Sequence, residues 1–150
     1  MSVLLALWIV GVMPISARPR AKRVVMIALD GISVPGFTTA HTPNLDNLLA
    51  QGALSLTTRV VMPSVTLPNW TSHLTGSGPE QHGVVDNGWQ IDKKGFPAVE
   101  IDKEGYYPSV FKVMKEEIPE CKTAFYYNWI NLFYPYNKKS VSYTHLRAHE

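Results

Sequence analysis

Arg23-Val24-Val25-Met26-Ile27-Ala28-Leu29, closed by Asp30-Gly31, is a continuous apolar and β-branched run with an acidic residue at its C-terminal end. A run apolar on both faces suits a central strand of a parallel sheet covered by helices. A carboxylate at the end of such a strand sits where open α/β sheets bind ligands. Downstream, Thr42-Pro43 opens a helix, with Thr42 as N-cap and Pro43 as first helical residue. Leu45, Leu48 and Leu49 give that helix an apolar stripe, and Gly52 stops it. Ala53 to Met62 reads as a second strand, ended by Pro63. Pro68 to Leu74 is a short helix with Gly76 past its end. Tyr107 to Glu117 places Val110, Phe111 and Met114 on one helical face, and Lys122 to Tyr127 is a third strand. Trp89 to Gly105 reads as a surface hairpin or loop. Strands alternating with helices predict an α/β fold, a mostly parallel sheet with helices on both faces.

The composition fits a globular domain. Apolar residues make up 45 % of the 150, charged residues 17 %. A net charge of +2 gives no footing for a nucleic-acid partner. Nothing is long and apolar enough to span a bilayer. Val3 to Met13 is an apolar run of signal-peptide length, broken by Pro14 and followed by the small residue Ala17. Residues 1–17 therefore read as a cleaved signal peptide, and the protein as secreted or periplasmic. The positive charges Arg18, Arg20, Lys22 and Arg23 follow the run instead of preceding it, which departs from the usual layout. Cys121 is the single cysteine, so the chain forms no internal disulfide.

Three residues fall at or just beyond the C-terminal ends of expected strands: Asp30, Thr66 and Asn87. Asp30 can ligate a cation. Thr66 precedes a helix whose free N–H groups and dipole favour an anion. A threonine hydroxyl becomes a competent nucleophile only with a base, a lowered pKa or a metal. Asn87 can donate its amide to a phosphoryl oxygen. Each also has an ordinary structural role. A strand-end Asp and a Thr before Pro68-Asn69 are common caps, and Asn87-Gly88 is a common turn pair. Position alone leaves both readings open.

The segments VVMIALDGIS (24–33), HTPNLDNLLAQGA (41–53) and MPSVTLPNWTSHLTGSGPEQHGVVDN (62–87), with the later YYPSVFKVMKEEIPECKTAFYYNW (106–129), resemble the nucleotide pyrophosphatase/phosphodiesterase family of the alkaline phosphatase superfamily. The likeness covers residues 23 to 136. It implies an alkaline phosphatase-like α/β fold, of which 23–140 is the N-terminal part, and metal-dependent hydrolysis of small phosphate esters at two zinc ions. It also implies roles. Asp30, in a D-G motif, matches the ligand of one zinc. Thr66, in T-x-P-N, matches the nucleophile that touches the same zinc and becomes phospho-threonine. Asn87, after H-G, matches the residue that stabilises phosphoryl oxygens. Asn69 and His82 match motif positions read here as structural. The family's remaining ligands match nothing in this chain.

Nucleotide-cleaving relatives carry Lys-Thr-Phe where this chain has Val65-Thr66-Leu67, which argues against a nucleotide base as the recognised group. A phosphomonoesterase or phosphonate hydrolase of the same superfamily is an alternative, and a non-catalytic secreted α/β binding module is another. Nothing here specifies an oligomeric state. Residues 141–150, VSYTHLRAHE, resemble the translation of a sequencing adaptor. They read as a non-native tail, expected to pack against nothing.

Overall fold

Backbone N–H and C=O groups need partners, and an extended run becomes a strand only when a neighbour supplies them. The computed structural model describes residues 22–93 and 95–146, so the signal-peptide reading of residues 1–17 lies outside it. The chain divides at residue 32, and the segment up to Ile32 and the body from Ser33 onward are described separately.

In the first segment the expected central strand is not found. Arg23 to Leu29 carries no ladder, and Val24, Val25, Met26 and Ile27 are exposed. Its apolar pattern marks what a sheet would bury, but no pairing strand is present among the described residues. Ala53 to Met62 departs from expectation for the same reason. It is irregular, with Leu54, Leu56, Val60 and Met62 exposed.

Five α-helices are described in the body. α1 (Val34–Thr39), absent from the sequence reading, starts where the Ser33 hydroxyl accepts the Gly36 N–H at 3.2 Å. α2 (Pro43–Leu49) begins as its Thr42-Pro43 signal predicts. The Thr42 hydroxyl donates to Asp46 at 3.1 Å instead of capping a backbone N–H. Its leucine stripe finds little cover: Leu45 and Leu48 are exposed and Leu49 is half-buried.

α3 (Thr66–Thr75) is the centre of the body. Leu67, Thr71 and Leu74 recur at helical spacing and are all buried. Gly76 ends the helix in the left-handed region at φ 68°, its N–H donating to the Ser72 carbonyl at 2.9 Å. α4 (Pro79–His82) follows, closed by Gly83 at φ 75°. A Cβ on Gly83 would lie 2.6 Å from the Phe96 carbonyl, so glycine alone lets residues 96–98 pass this turn. The stretch 89–105 is irregular as expected, yet Trp89 is buried. α5 (Val110–Glu117) buries Phe111 and half-buries Met114, while Val110 faces out.

The expected third strand is present as β1 (Ala124–Tyr127). It pairs in parallel with β2 (Tyr143–Leu146), Ala124 opposite Tyr143 and Tyr127 opposite Leu146. The connection runs through two short 3-10 turns, Ile130–Phe133 and Lys138–Ser140. Helices with a two-stranded parallel sheet make the described body α/β.

β2 corrects the expectation that the tail packs against nothing. The Thr123 carbonyl accepts the Tyr143 N–H at 3.0 Å, Val141 packs on the core, and Tyr143 lies beside Tyr126. The physical reason lies in β1, whose open edge offers unpaired backbone groups to any extended segment within reach.

Two apolar clusters hold the body. Leu74, Phe111, Phe133 and Tyr136 join α3 to α5 and to the approach to β2. Leu67, Val84 and Trp89 form the other, beneath the start of α3.

Candidate active site at the start of α3

The first turn of an α-helix leaves backbone N–H groups without intrahelical partners. In α3 the N-cap is Val65, which has no side-chain oxygen to satisfy them. Thr66 is the first helical residue, so the capping role that the sequence left open for it is not the one it plays. The residue is half-buried, and its hydroxyl has no hydrogen-bond partner among the described residues. Its backbone N–H is likewise without a partner there. A hydroxyl and an N–H donor thus sit together at the positive end of a ten-residue helix, a setting that favours an anion.

Asn87 reaches the start of α3 from twenty residues beyond Leu67. The Leu67 N–H donates to Asn87 Oδ1 at 2.8 Å. A backbone N–H can only donate, so this bond fixes which end of the amide is oxygen. Nδ2 is left with both hydrogens unpartnered among the described residues. The loop carrying Asn87 is held at both ends. Val84 is buried against Leu67 and Trp89, and Asn131 Nδ2 donates to the Asn87 carbonyl at 2.9 Å. Gly88 N–H donates to Asp86 Oδ1 at 2.7 Å, closing the expected Asn-Gly turn. The structure therefore brings Asn87 to Leu67, the residue next to Thr66, at the start of α3. The sequence carried no sign of the Asn131 contact.

Asn69 stands on the same first turn with its amide fully engaged. Oδ1 accepts the Val61 N–H at 2.9 Å, and Nδ2 donates to the carbonyls of Val65 at 2.8 Å and Pro63 at 3.3 Å.

His82 connects α4 back to α3. Its Nδ1 accepts the Val84 N–H at 3.0 Å, so the ring proton lies on Nε2, which donates to Ser72 Oγ at 3.0 Å. This orientation makes His82 a donor to Ser72, not a base for it, and agrees with the structural role expected. Burial pushes its pKa down to about 4, against a smaller upward pull from Glu80. The sign of the pH effect follows. The unfolded chain binds the proton near pH 6.5 and the folded chain only near 4, so stability is full above about 6.5 and falls as pH drops toward 4. The expected loss is on the order of 3 kcal/mol, for a pKa lowered from 6.5 to about 4. Denaturant unfolding between pH 7 and 4 checks it: the slope should shrink sharply in His82→Gln, which has no group titrating there.

Asp30 belongs to the separately described first segment. It is exposed, and its Oδ1 accepts the Gly31 N–H at 2.9 Å, with Gly31 at φ 73°. No group of three or more His, Cys, Asp or Glu gathers as a metal-ligand set among the described residues. The Asp30 carboxylate in the first segment is an oxygen donor of the kind a divalent cation takes.

Comparison with known proteins places these features in a family. The family model for type I phosphodiesterase / nucleotide pyrophosphatase matches residues 24–147. Ectonucleotide pyrophosphatase/phosphodiesterase family member 3 of Mus musculus is 35 % identical over 66 residues, covering 43 % of this chain and 8 % of the relative. Bis(5'-adenosyl)-triphosphatase enpp4 of Mus musculus is 30 % identical over 83 residues, covering 54 % of this chain and 18 % of the relative. Venom phosphodiesterase of Macrovipera lebetinus is 23 % identical over 148 residues, covering 73 % and 17 %. The chain thus spans less than a fifth of the length of these relatives. No solved structure matches. With the match running through nearly all of the described body, the chain belongs to the type I phosphodiesterase / nucleotide pyrophosphatase family.

Proposed function

We propose that the full-length protein hydrolyses phosphodiester or pyrophosphate bonds in small phosphate esters, with Thr66 as nucleophile and Asn87 as oxyanion donor. The observation that carries this reading is the bond from Leu67 N–H to Asn87 Oδ1. It ties an amide, whose two N–H groups have no partner among the described residues, to the residue that follows Thr66 in the first turn of α3. A phosphoryl group there meets the Thr66 N–H and Asn87 Nδ2, both donors suited to its oxygens.

The Thr66 oxygen attacks phosphorus. The new Oγ–P bond forms as the ester P–O bond breaks, the leaving alkoxide takes up a proton, and Thr66 carries the phosphoryl group. Water then attacks phosphorus, releasing the phosphate product and restoring the hydroxyl. Asn87 holds the non-bridging oxygens in both steps as their charge grows. Asp30 and Thr66 are the residues of this chain that would hold metal. Two zinc ions, completed by ligands elsewhere in the full-length protein, would supply Lewis-acid polarisation and lower the pKa of the attacking oxygen.

The names of the relatives speak of pyrophosphatase, phosphodiesterase and triphosphatase activity. Leu67 bears on the substrate. It is fully buried, so it offers no face to a nucleobase, and Val65 beside Thr66 brings no charge. These two positions support a phosphate ester recognised at its phosphoryl group. In the full-length protein residues 1–17 act as the export signal and 23–140 as the first part of the catalytic domain; residues 141–150 are a non-native adaptor-derived tail.

The test is turnover of bis-p-nitrophenyl phosphate against p-nitrophenyl phosphate, with and without a zinc chelator. The expected result is preference for the diester, loss on chelation and recovery with zinc. Preference for the monoester would move the protein to a phosphomonoesterase. No turnover of either would favour a non-catalytic module.

A further inference from the structure

We propose that Asn69 is a positioning residue for the nucleophile, its side-chain amide setting the peptide plane that delivers Thr66. The inference rests on the reading of Thr66 above and adds a residue that does not itself touch substrate.

The geometry is a three-point clamp by one planar group. Oδ1 takes the Val61 N–H, while Nδ2 reaches the carbonyls of Pro63 and Val65. These are alternate residues of the loop that enters α3, so the amide bridges the whole approach to Thr66. The Val65 carbonyl is the important end. Its helical bond from the Asn69 backbone N–H is long, at 3.4 Å, whereas the side-chain bond to the same oxygen is 2.8 Å. The side chain, more than the helix, orients this carbonyl.

The Val65 carbonyl and the Thr66 N–H belong to the same peptide plane and point in opposite directions. Fixing one fixes the other. The Thr66 N–H has no partner among the described residues, and it is the backbone donor at the helix start beside the Thr66 hydroxyl. The Val65–Thr66 plane also sets where the Thr66 Cα–Cβ bond leaves the chain. Asn69 therefore aims both the donor and the nucleophile without contacting the phosphoryl group. The Pro63 carbonyl is tied twice, from Val65 N–H at 2.9 Å and from Asn69, so the turn cannot relax independently.

A second consequence concerns modification. Asn69-Trp70-Thr71 has the N-x-T pattern of a glycosylation acceptor. In the folded protein both Nδ2 hydrogens are directed at backbone carbonyls, which leaves no site for a glycan.

The experiment compares wild type, Asn69→Leu, Asn69→Asp and Thr66→Ala in the full-length protein, assayed on bis-p-nitrophenyl phosphate and normalised to folded protein. Asn69→Leu keeps the volume and removes all three bonds. Asn69→Asp keeps the acceptor for Val61 N–H and loses both donations. Misplacement of a reacting group by about 1 Å costs about a hundredfold in rate, so kcat should fall by about that factor in both variants while KM changes far less. A purely structural role would lower the amount of folded protein and leave turnover per folded molecule unchanged. That result would overturn the proposal. If Asn69→Leu does not fold, Asn69→Asp decides by the same ratio. If Thr66→Ala is inactive and the Asn69 variants turn over like wild type, only the role of Asn69 fails. If Thr66→Ala itself stays active, the site reading fails first. Secretion of the wild type from glycosylating cells should give no mass addition at Asn69, and a glycan there on active enzyme would also overturn the proposal.

Discussion

Thr66→Ala in the full-length protein should remove nearly all turnover and leave the fold intact. The substitution deletes the γ-methyl and a hydroxyl that has no hydrogen-bond partner among the described residues, so no buried polar group is orphaned. Alanine is also a good residue for the first turn of a helix, so α3 should form unchanged. The Thr66 N–H and the Asn87 amide remain in place, and a residual rate from them is expected. Thr66→Ser should keep more activity, because it retains the attacking oxygen. A capping role would give a different pattern: about 1 kcal/mol of stability lost and turnover per folded molecule untouched. Since Val65 is the N-cap, that pattern is not expected. Turnover of the diester per folded molecule is the measurement. A rate like wild type in Thr66→Ala would end the nucleophile assignment.

The second large effect belongs to Asn87. Loss of one oxyanion donor costs on the order of a hundredfold to a thousandfold in kcat, and Asn87→Ala should fall in that range. The alanine variant also leaves the Leu67 N–H without its acceptor, so some stability is lost with it. Asn87→Asp separates the two effects. An aspartate oxygen still accepts from Leu67 N–H and holds the loop, yet it replaces both N–H donors with negative charge facing the phosphoryl group. Asn87→Asp should therefore match or exceed the catalytic loss of Asn87→Ala while unfolding more nearly like wild type. Parallel denaturant curves and kcat values test this. If Asn87→Asp kept its turnover, the side chain would serve only to hold the loop against α3.

The sequence by itself determined what short-range physics determines. Pro68 in the first turn and Gly76 past the end mark α3, because proline presets a helical φ and glycine accepts the left-handed turn that stops the helix. Thr42-Pro43 opens α2 for the same kind of reason, and the β-branched and aromatic run 122–127 marks β1. The family was legible too, since its motifs are strings of neighbours. The tertiary structure decided everything that depends on a distant partner. Arg23 to Leu29 and Ala53 to Met62 have the composition of strands, but a strand is a relation between two stretches of backbone, and neither run has a strand partner among the described residues. The tail pairs with β1 because that edge was open, a fact no property of residues 141–150 announces. Thr66 and Asn87 were nameable from their motifs, yet the bond that ties Asn87 to the start of α3 runs from Leu67 across twenty residues. The sequence also marked Asn69 as part of a motif. Only the folded loop revealed that its one amide holds Val61, Pro63 and Val65 at once, because side-chain to backbone bonds depend on where the backbone has already gone.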